Sequence, residues 1–178
     1  MPLSTSDTKN VKLGVCNVAF GGEDLGLTKG GVTVEVQTST HKVNVDQFGQ
    51  TEVNEYINGR MVKVRVPLAE STLDRLEAVI PGSELVVDGV DPDVMRLDVS
   101  YGNGVSLLDI AQELVCHPRD NAPGDKSEDF VVPLAATAGA FSFAYKIDEE
   151  RVYEVEFTGY VDKETGKLFH VGDADATA

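Results

Sequence analysis

Between Asp24 and Ser83 the chain reads DLGLTKGGVTVEVQTSTHKVNVDQFGQTEVNEYINGRMVKVRVPLAESTLDRLEAVIPGS. Valines alternate with polar residues on both sides of a polar stretch, and the second set runs straight into a helix start. A period of two commits each set to a strand with one buried face. In Val32-Thr33-Val34-Glu35-Val36-Gln37 the apolar residues are even-numbered, whereas Val43 and Val45 are odd. Such a flip signals an inserted residue or a hairpin turn. No Gly, Asn or Asp stands at Thr38-Ser39-Thr40, so one long bulged strand over 31–47 is expected. Asp46 to Asn58 reads as a polar loop with Gly49 at its centre, closed by Asn58-Gly59 as a tight turn. A second strand over 59–68 carries Val62, Val64 and Val66 on one face and Met61, Lys63 and Arg65 on the other. Ser71 is placed as the N-cap of a helix over 71–80, with Leu73, Leu76 and Ile80 on its packed face. Pro81-Gly82 ends it.

The remaining chain adds further short strands. Alternation marks 11–19, 84–88, 94–101, 130–134, 141–145, 151–157 and 168–171, and 106–116 reads as a helical turn leading into a strand. Ala135 to Ala140 reads as small and flexible, and 119–129 as an acidic Pro/Gly loop. The expected fold is mainly β: a β-sandwich or barrel with one flanking α-helix and a long β-hairpin. A single domain over 11–172 is expected between an N-terminal arm, 1–10, and a flexible C-terminal tail, 173–178.

Charge narrows the partners. Residues 1–90 hold 8 Lys/Arg and 12 Asp/Glu, while 91–178 hold 7 and 18, for a total of −15. That surplus repels nucleic acid and anionic membranes, and it also serves plain solubility. MPLSTSDTKN lacks the basic and apolar regions of a signal peptide, so a soluble protein made inside a cell is expected.

Motifs for chemistry are scarce. Cys16 and Cys116 lie in apolar alternating segments and read as buried free thiols, with a disulfide permitted but not implied. His41, His117 and His170 lack the spacing of a zinc site. Gly21-Gly22 and Lys29-Gly30-Gly31 lack the order of a phosphate loop, and they precede a strand rather than a helix. Gly104-Val105-Ser106 misses the second Gly of a nucleophile elbow. Asp91-Pro92-Asp93 and Asp173-Ala174-Asp175 lack the Gly and closing Glu of a calcium loop. Glu154 and Glu156 share one strand face and read as solvated rather than as an acid/base pair. No catalytic residue, metal or cofactor is nominated.

Five segments in order span nearly the whole chain: LGLTKGGVTVEV, VNVDQFGQTEV, VPLAEST, LVCHPRD and VYEVEFTGYVDKETGKLFHVGD. In these the chain resembles the tail tube (major tail) proteins of long-tailed bacteriophages, siphophage type. The resemblance implies a β-sandwich protomer whose hexameric rings merge strands and stack into a hollow tube that conducts DNA. It further implies a place in the virion tail after synthesis in the host cytoplasm, with no membrane. Tape-measure and tail-terminator or tail-tip proteins are the implied partners, and DNA passes without specific binding. On this reading strand parity places Glu35, Gln37, Glu154 and Glu156 toward the lumen, with Lys63 and Arg65 on an equivalent polar face. The loop bearing Asp46, Gln47, Phe48, Gly49, Gln50, Thr51, Glu52 and Tyr56 is assigned to ring-to-ring contact, and Leu73, Leu76 and Ile80 to the core helix. The competing expectation is a β-sandwich binding module, a receptor- or carbohydrate-binding virion domain, with an unrecognised hydrolase third.

Overall fold

A computed structural model describes residues 11–176 apart from Leu13 and Ser71. The arm assigned to 1–10 and the cap assigned to Ser71 therefore lie outside the described residues. The strands are β1 (Cys16–Phe20), β2 (Glu23–Asp24), β3 (Thr33–Asn44), β4 (Glu52–Leu68), β5 (Ser83–Val87), β6 (Met95–Val99), β7 (Gln112–Pro118), β8 (Phe130–Thr137), β9 (Tyr153–Gly159) and β10 (His170–Val171), with helix α1 (Leu73–Val79). Eight form one antiparallel sheet in the order β2-β1-β7-β8-β9-β4-β3, with β10 added against β8; β5 and β6 pair separately.

The core follows from alternation. Val62, Val64, Val66 and Leu68 of β4 are buried, as are Tyr153, Val155 and Phe157 of β9. Register sets Val64 against Phe157 and Val66 against Val155, so the two strands present one continuous apolar face. The sheet wraps until Phe20 of β1 meets Phe157 of β9, with ring centroids 4.9 Å apart. Residues 25–29 bridge its two ends. Leu25 N–H donates to Val18 O at 2.8 Å, Ala69 N–H to Leu27 O at 2.8 Å, and Lys29 N–H to Pro67 O at 3.0 Å. Among the described residues no ladder joins β1–β2 to β3–β4, so the large antiparallel sheet is wrapped but not closed.

Helix α1 is shorter than the expected 71–80. Thr72 holds the cap position without a side-chain hydrogen bond, and Ile80 has left helical geometry. Val79 and Ile80 are buried in the core, Leu76 packs against it, and Leu73 is half-buried. The expected packed face therefore holds at Leu76 and Ile80, but it omitted Val79. Glu77 ties the helix to β5, its Oε1 accepting from Leu85 N–H at 2.9 Å.

The hairpin corrects the expected loop. Strand β3 is continuous and irregular at Ser39/Thr40, where the parity flips. The extra residue is on the partner strand, however: Ser39 faces Gly59 and Thr40 faces Ile57, which leaves Asn58 unpaired. Asp46–Asn58 is mostly strand, because β4 already begins at Glu52. Only residues 45–51 turn, through a 3-10 turn at Asp46–Phe48 and Gly49 at φ 63°, a left-handed conformation that favours glycine. Segment 52–58 resembled a loop because it is polar, and composition reports exposure rather than backbone conformation.

Three other expectations change. Ala135, Ala136 and Thr137 are the buried end of β8, not a flexible stretch. Residues 106–110 turn without forming a helix, and 141–145 form no ladder. Ala135 pairs across the ladder with Gly159 of β9. A Cβ placed on Gly159 would lie 2.3 Å from Val62 Cγ1 and 2.8 Å from Val132 Cγ1. Gly159→Ala is therefore expected to overpack the core and cost about 1–3 kcal/mol, read as a lower urea midpoint at unchanged slope.

Candidate functional site

The most distinctive surface among the described residues is the hairpin of β3 and β4. Strand β9 pairs with β4 only from Lys63 to Leu68, so toward the turn the two strands pair with nothing but each other. Residues 37–42 of β3 and 52–61 of β4 are exposed on both faces. At roughly 3.3 Å per residue, the eight residues from Gln37 to Asn44 project about 25 Å. Cross-strand polar contacts stitch this arm together. Lys42 Nζ donates to Glu52 Oε1 at 2.7 Å, and Thr40 Oγ1 to Glu55 Oε1 at 2.6 Å. Glu52 holds the Lys42 ammonium above its ordinary range.

Phe48 at the turn is 65% exposed and Tyr56 60%, with Val53, Ile57 and Met61 also open. Of the residues assigned to the connecting loop, Asp46, Gln47, Phe48, Gly49, Gln50 and Thr51 form the turn, whereas Glu52 and Tyr56 belong to β4. Tyr56 stands opposite His41 across the arm.

Glu35, Gln37, Glu154 and Glu156 do share the outer face of the sheet, opposite the core. Register aligns Glu35 with Lys63, Gln37 with Met61, Arg65 with Glu156, and Pro67 with Glu154. Glu156 is not an unopposed acid. Its carboxylate accepts from Lys63 Nζ at 2.6 Å and Arg65 Nε at 3.0 Å. Lys63 first, then Arg65, holds Glu156 below the usual carboxylate range. Glu35 Oε1 accepts from Gln37 Nε2 at 2.6 Å. Three carboxylates thus face two cations, and both cations are engaged by one of them.

Two further features stand out, the first on a segment whose alternation marked it as a strand and the second with no sequence signal. Residues 140–152 make no backbone–backbone hydrogen bond among the described residues. Along them Phe141, Phe143 and Tyr145 form an aromatic row. Phe143 packs 4.6 Å from Tyr153, Tyr145 packs 5.3 Å from Phe143, and Arg151 lies 5.1 Å over the Tyr145 ring. The second feature joins His117 on β7 to Asp129, just before β8, through a half-buried contact of Nδ1 and Oδ1 at 2.6 Å. Asp129 also accepts Gly172 N–H on its carbonyl, which anchors the chain beside β10. A buried carboxylate needs such a partner, but residues 117 and 129 pair only because β7 and β8 lie side by side.

Among the described residues no three His, Cys, Asp or Glu side chains are grouped to hold a metal ion. No described helix is long and apolar enough to cross a membrane. No protein-family pattern matches the chain, and no curated protein matches it.

Glu156→Gln is expected to destabilise the fold by less than about 1 kcal/mol, because water and salt screen so exposed a cluster. The sign of its pH dependence follows from the lowered carboxyl. The contribution is present at neutral pH and fades as pH falls through the folded-state value, so urea midpoints of the two proteins should converge in acid.

Proposed function

We propose that this chain is the subunit of a phage tail tube, in which hexameric rings stack around a lumen that conducts DNA. The observation that carries the reading is the β3–β4 arm. A two-stranded ribbon in water is marginally stable by itself, and this one exposes Phe48, Val53, Tyr56 and Ile57. Its outer edge, along the twelve residues of β3, pairs with no other described strand. Val34 and Val36 sit on the core-facing side of that edge yet remain 38% and 42% exposed. A neighbouring subunit that adds a strand there would pair the edge and cover both valines. Ring closure removes such edges without open-ended growth. The unladdered segment 140–152 offers a second length of backbone for the same purpose.

On this reading the outer face of β3, β4 and β9 is the wall nearest the DNA. Phosphates bind where free Lys or Arg can displace counterions. Lys63 and Arg65 are both held by Glu156, so the wall offers DNA little to grip. Tape-measure and terminator or tip proteins are the partners of such a tube.

The assembly test removes the arm while keeping the body. Replacing residues 40–58 by Asn-Gly joins the paired residues Ser39 and Gly59 through a two-residue turn. The expected product keeps the far-UV circular dichroism of a folded β protein but forms no tubes in negative-stain micrographs of concentrated protein. Normal tubes from it would sink the proposal.

The wall test is Glu154→Lys with Glu156→Lys. It frees Lys63 and Arg65 and adds two cations to them. Assembled tubes of this variant should retain DNA in a salt-dependent manner, where wild-type tubes retain none. Equal DNA retention by both would place this face elsewhere.

The aromatic row Phe141, Phe143 and Tyr145 favours a second reading, a binding module that stacks sugar rings or apolar groups. A chain that stays monomeric at high concentration, and whose tyrosine fluorescence responds to oligosaccharides, would favour that reading over the first.

A further inference from the structure

We propose that Cys16 and Cys116 form a redox-active dithiol, closed to a cross-strand disulfide by a small cationic disulfide that enters the cavity beside β1. In the β1–β7 ladder Cys16 pairs with Pro118 and Val18 with Cys116. Residues two apart on a strand share a face, so both cysteines lie on the core side as diagonal neighbours. Both are free thiols, and each is the largest single influence on the other's acidity. Cys116 is buried, whereas Cys16 is partly open and lines a cavity of about 300 Å³ with Lys12, Gly14, Val32, Asp120 and Glu128. A thiol that opens into a cavity with a second thiol behind it is the arrangement of an attacking and a resolving cysteine.

Their acidities divide the roles. The Cys116 side chain, whose influence outweighs burial, holds Cys16 down to about 7, so at neutral pH much of it is thiolate. Cys16 in turn, with burial, pushes Cys116 far up and keeps it protonated. In the first step the Cys16 thiolate attacks one sulfur of the incoming disulfide. A mixed disulfide forms, and the other half leaves as a thiolate that takes a proton from water. In the second step Cys116 gives its proton to water as its sulfur attacks Cys16 Sγ and expels the second thiolate. The protein loses two protons and two electrons, and the small disulfide takes up both to become two thiols. Cys116's reluctance to ionise makes the second step the slow one.

Charge selects the reagent. Lys12 Nζ is engaged by Glu128 at 3.0 Å, whereas Asp120 makes no salt bridge among the described residues. The cavity is therefore negative on balance, on a chain already at −15, and attracts a cationic disulfide. Diagonal partners stand about 7–8 Å apart, beyond the span of an unstrained disulfide, so closure requires β1 and β7 to shift locally. The closed bond is accordingly strained and returns readily to the dithiol in excess thiol.

The test treats the native wild-type chain with cystamine and follows intact mass, with alkylation of remaining thiols. The expected result is a transient cysteamine adduct followed by loss of two hydrogens, with both cysteines closed to alkylation and reopened by dithiothreitol. Cys116→Ala should stop at a stable adduct on Cys16, and Cys16→Ala should form none. Wild-type protein that stops at the adduct, links two copies, or stays unreacted until denatured would overturn the proposal. The decisive reading is made on wild-type protein, so it depends neither on the variants' folding nor on tube assembly.

Discussion

Everything else in this molecule is arranged around β4. Its second half, Val62 to Leu68, is the strand on which the core is assembled, with β9 hydrogen-bonded on one side and β3 on the other. Its first half, from Glu52 to Met61, leaves the body with only β3 as companion. One strand thus carries two environments, one dry and one wet. The change shows directly in the residues, from Val-Lys-Val-Arg-Val to Glu-Val-Asn-Glu-Tyr-Ile. The buried half supplies the hydrophobic free energy, at roughly 25 cal/mol per Å² of apolar surface removed from water. The exposed half is held up by the backbone ladder and a few polar pairs. An arm of that kind is stable because the body anchors it at one end, and its apolar side chains remain open to a further partner.

Electrostatics on the outer face is cancelled in part, at Glu156. Parity alone makes Glu35, Glu154 and Glu156 an acidic stripe, and the chain's strong negative charge encourages that view. Register places Lys63 and Arg65 beside Glu156, and that single carboxylate takes both. Much of the acid surplus lies in loops and turns such as Asp120, Asp125, Glu128 and Asp162, while Glu35 and Glu154 leave the outer face an acid in excess. This matters for any role as a conduit. A wall with its cations already occupied is less adhesive to phosphate than one whose net charge is merely low.

Strand positions were legible where apolar and polar residues alternate. The valines of β3 and β4, the alternation of β9, and the pairs β5 and β6 all follow from a period of two. Legibility failed where burial does not distinguish the faces. Residues 52–58 are exposed on both sides, so their polar composition imitates a loop. Ala135, Ala136 and Thr137 are the buried end of a strand, and smallness in sequence imitates flexibility. Phe141 to Tyr145 alternate like a strand yet find no ladder, since alternation reports a sided environment and not a hydrogen-bonding partner.

By itself the sequence determined that the chain is mainly β, that β3 runs through an irregularity near Ser39, and that a short helix follows β4. These are local matters, written in the spacing of apolar side chains. Only the tertiary structure decided that Asn58 is the inserted residue, that Cys16 and Cys116 stand diagonally across one ladder, and that His117 meets Asp129. It also decided that Glu156 is claimed by Lys63 and Arg65. Each of these depends on which strand lies beside which and in what register. That choice is made by the whole sheet as it wraps its apolar face around one core, so no single stretch of residues encodes it.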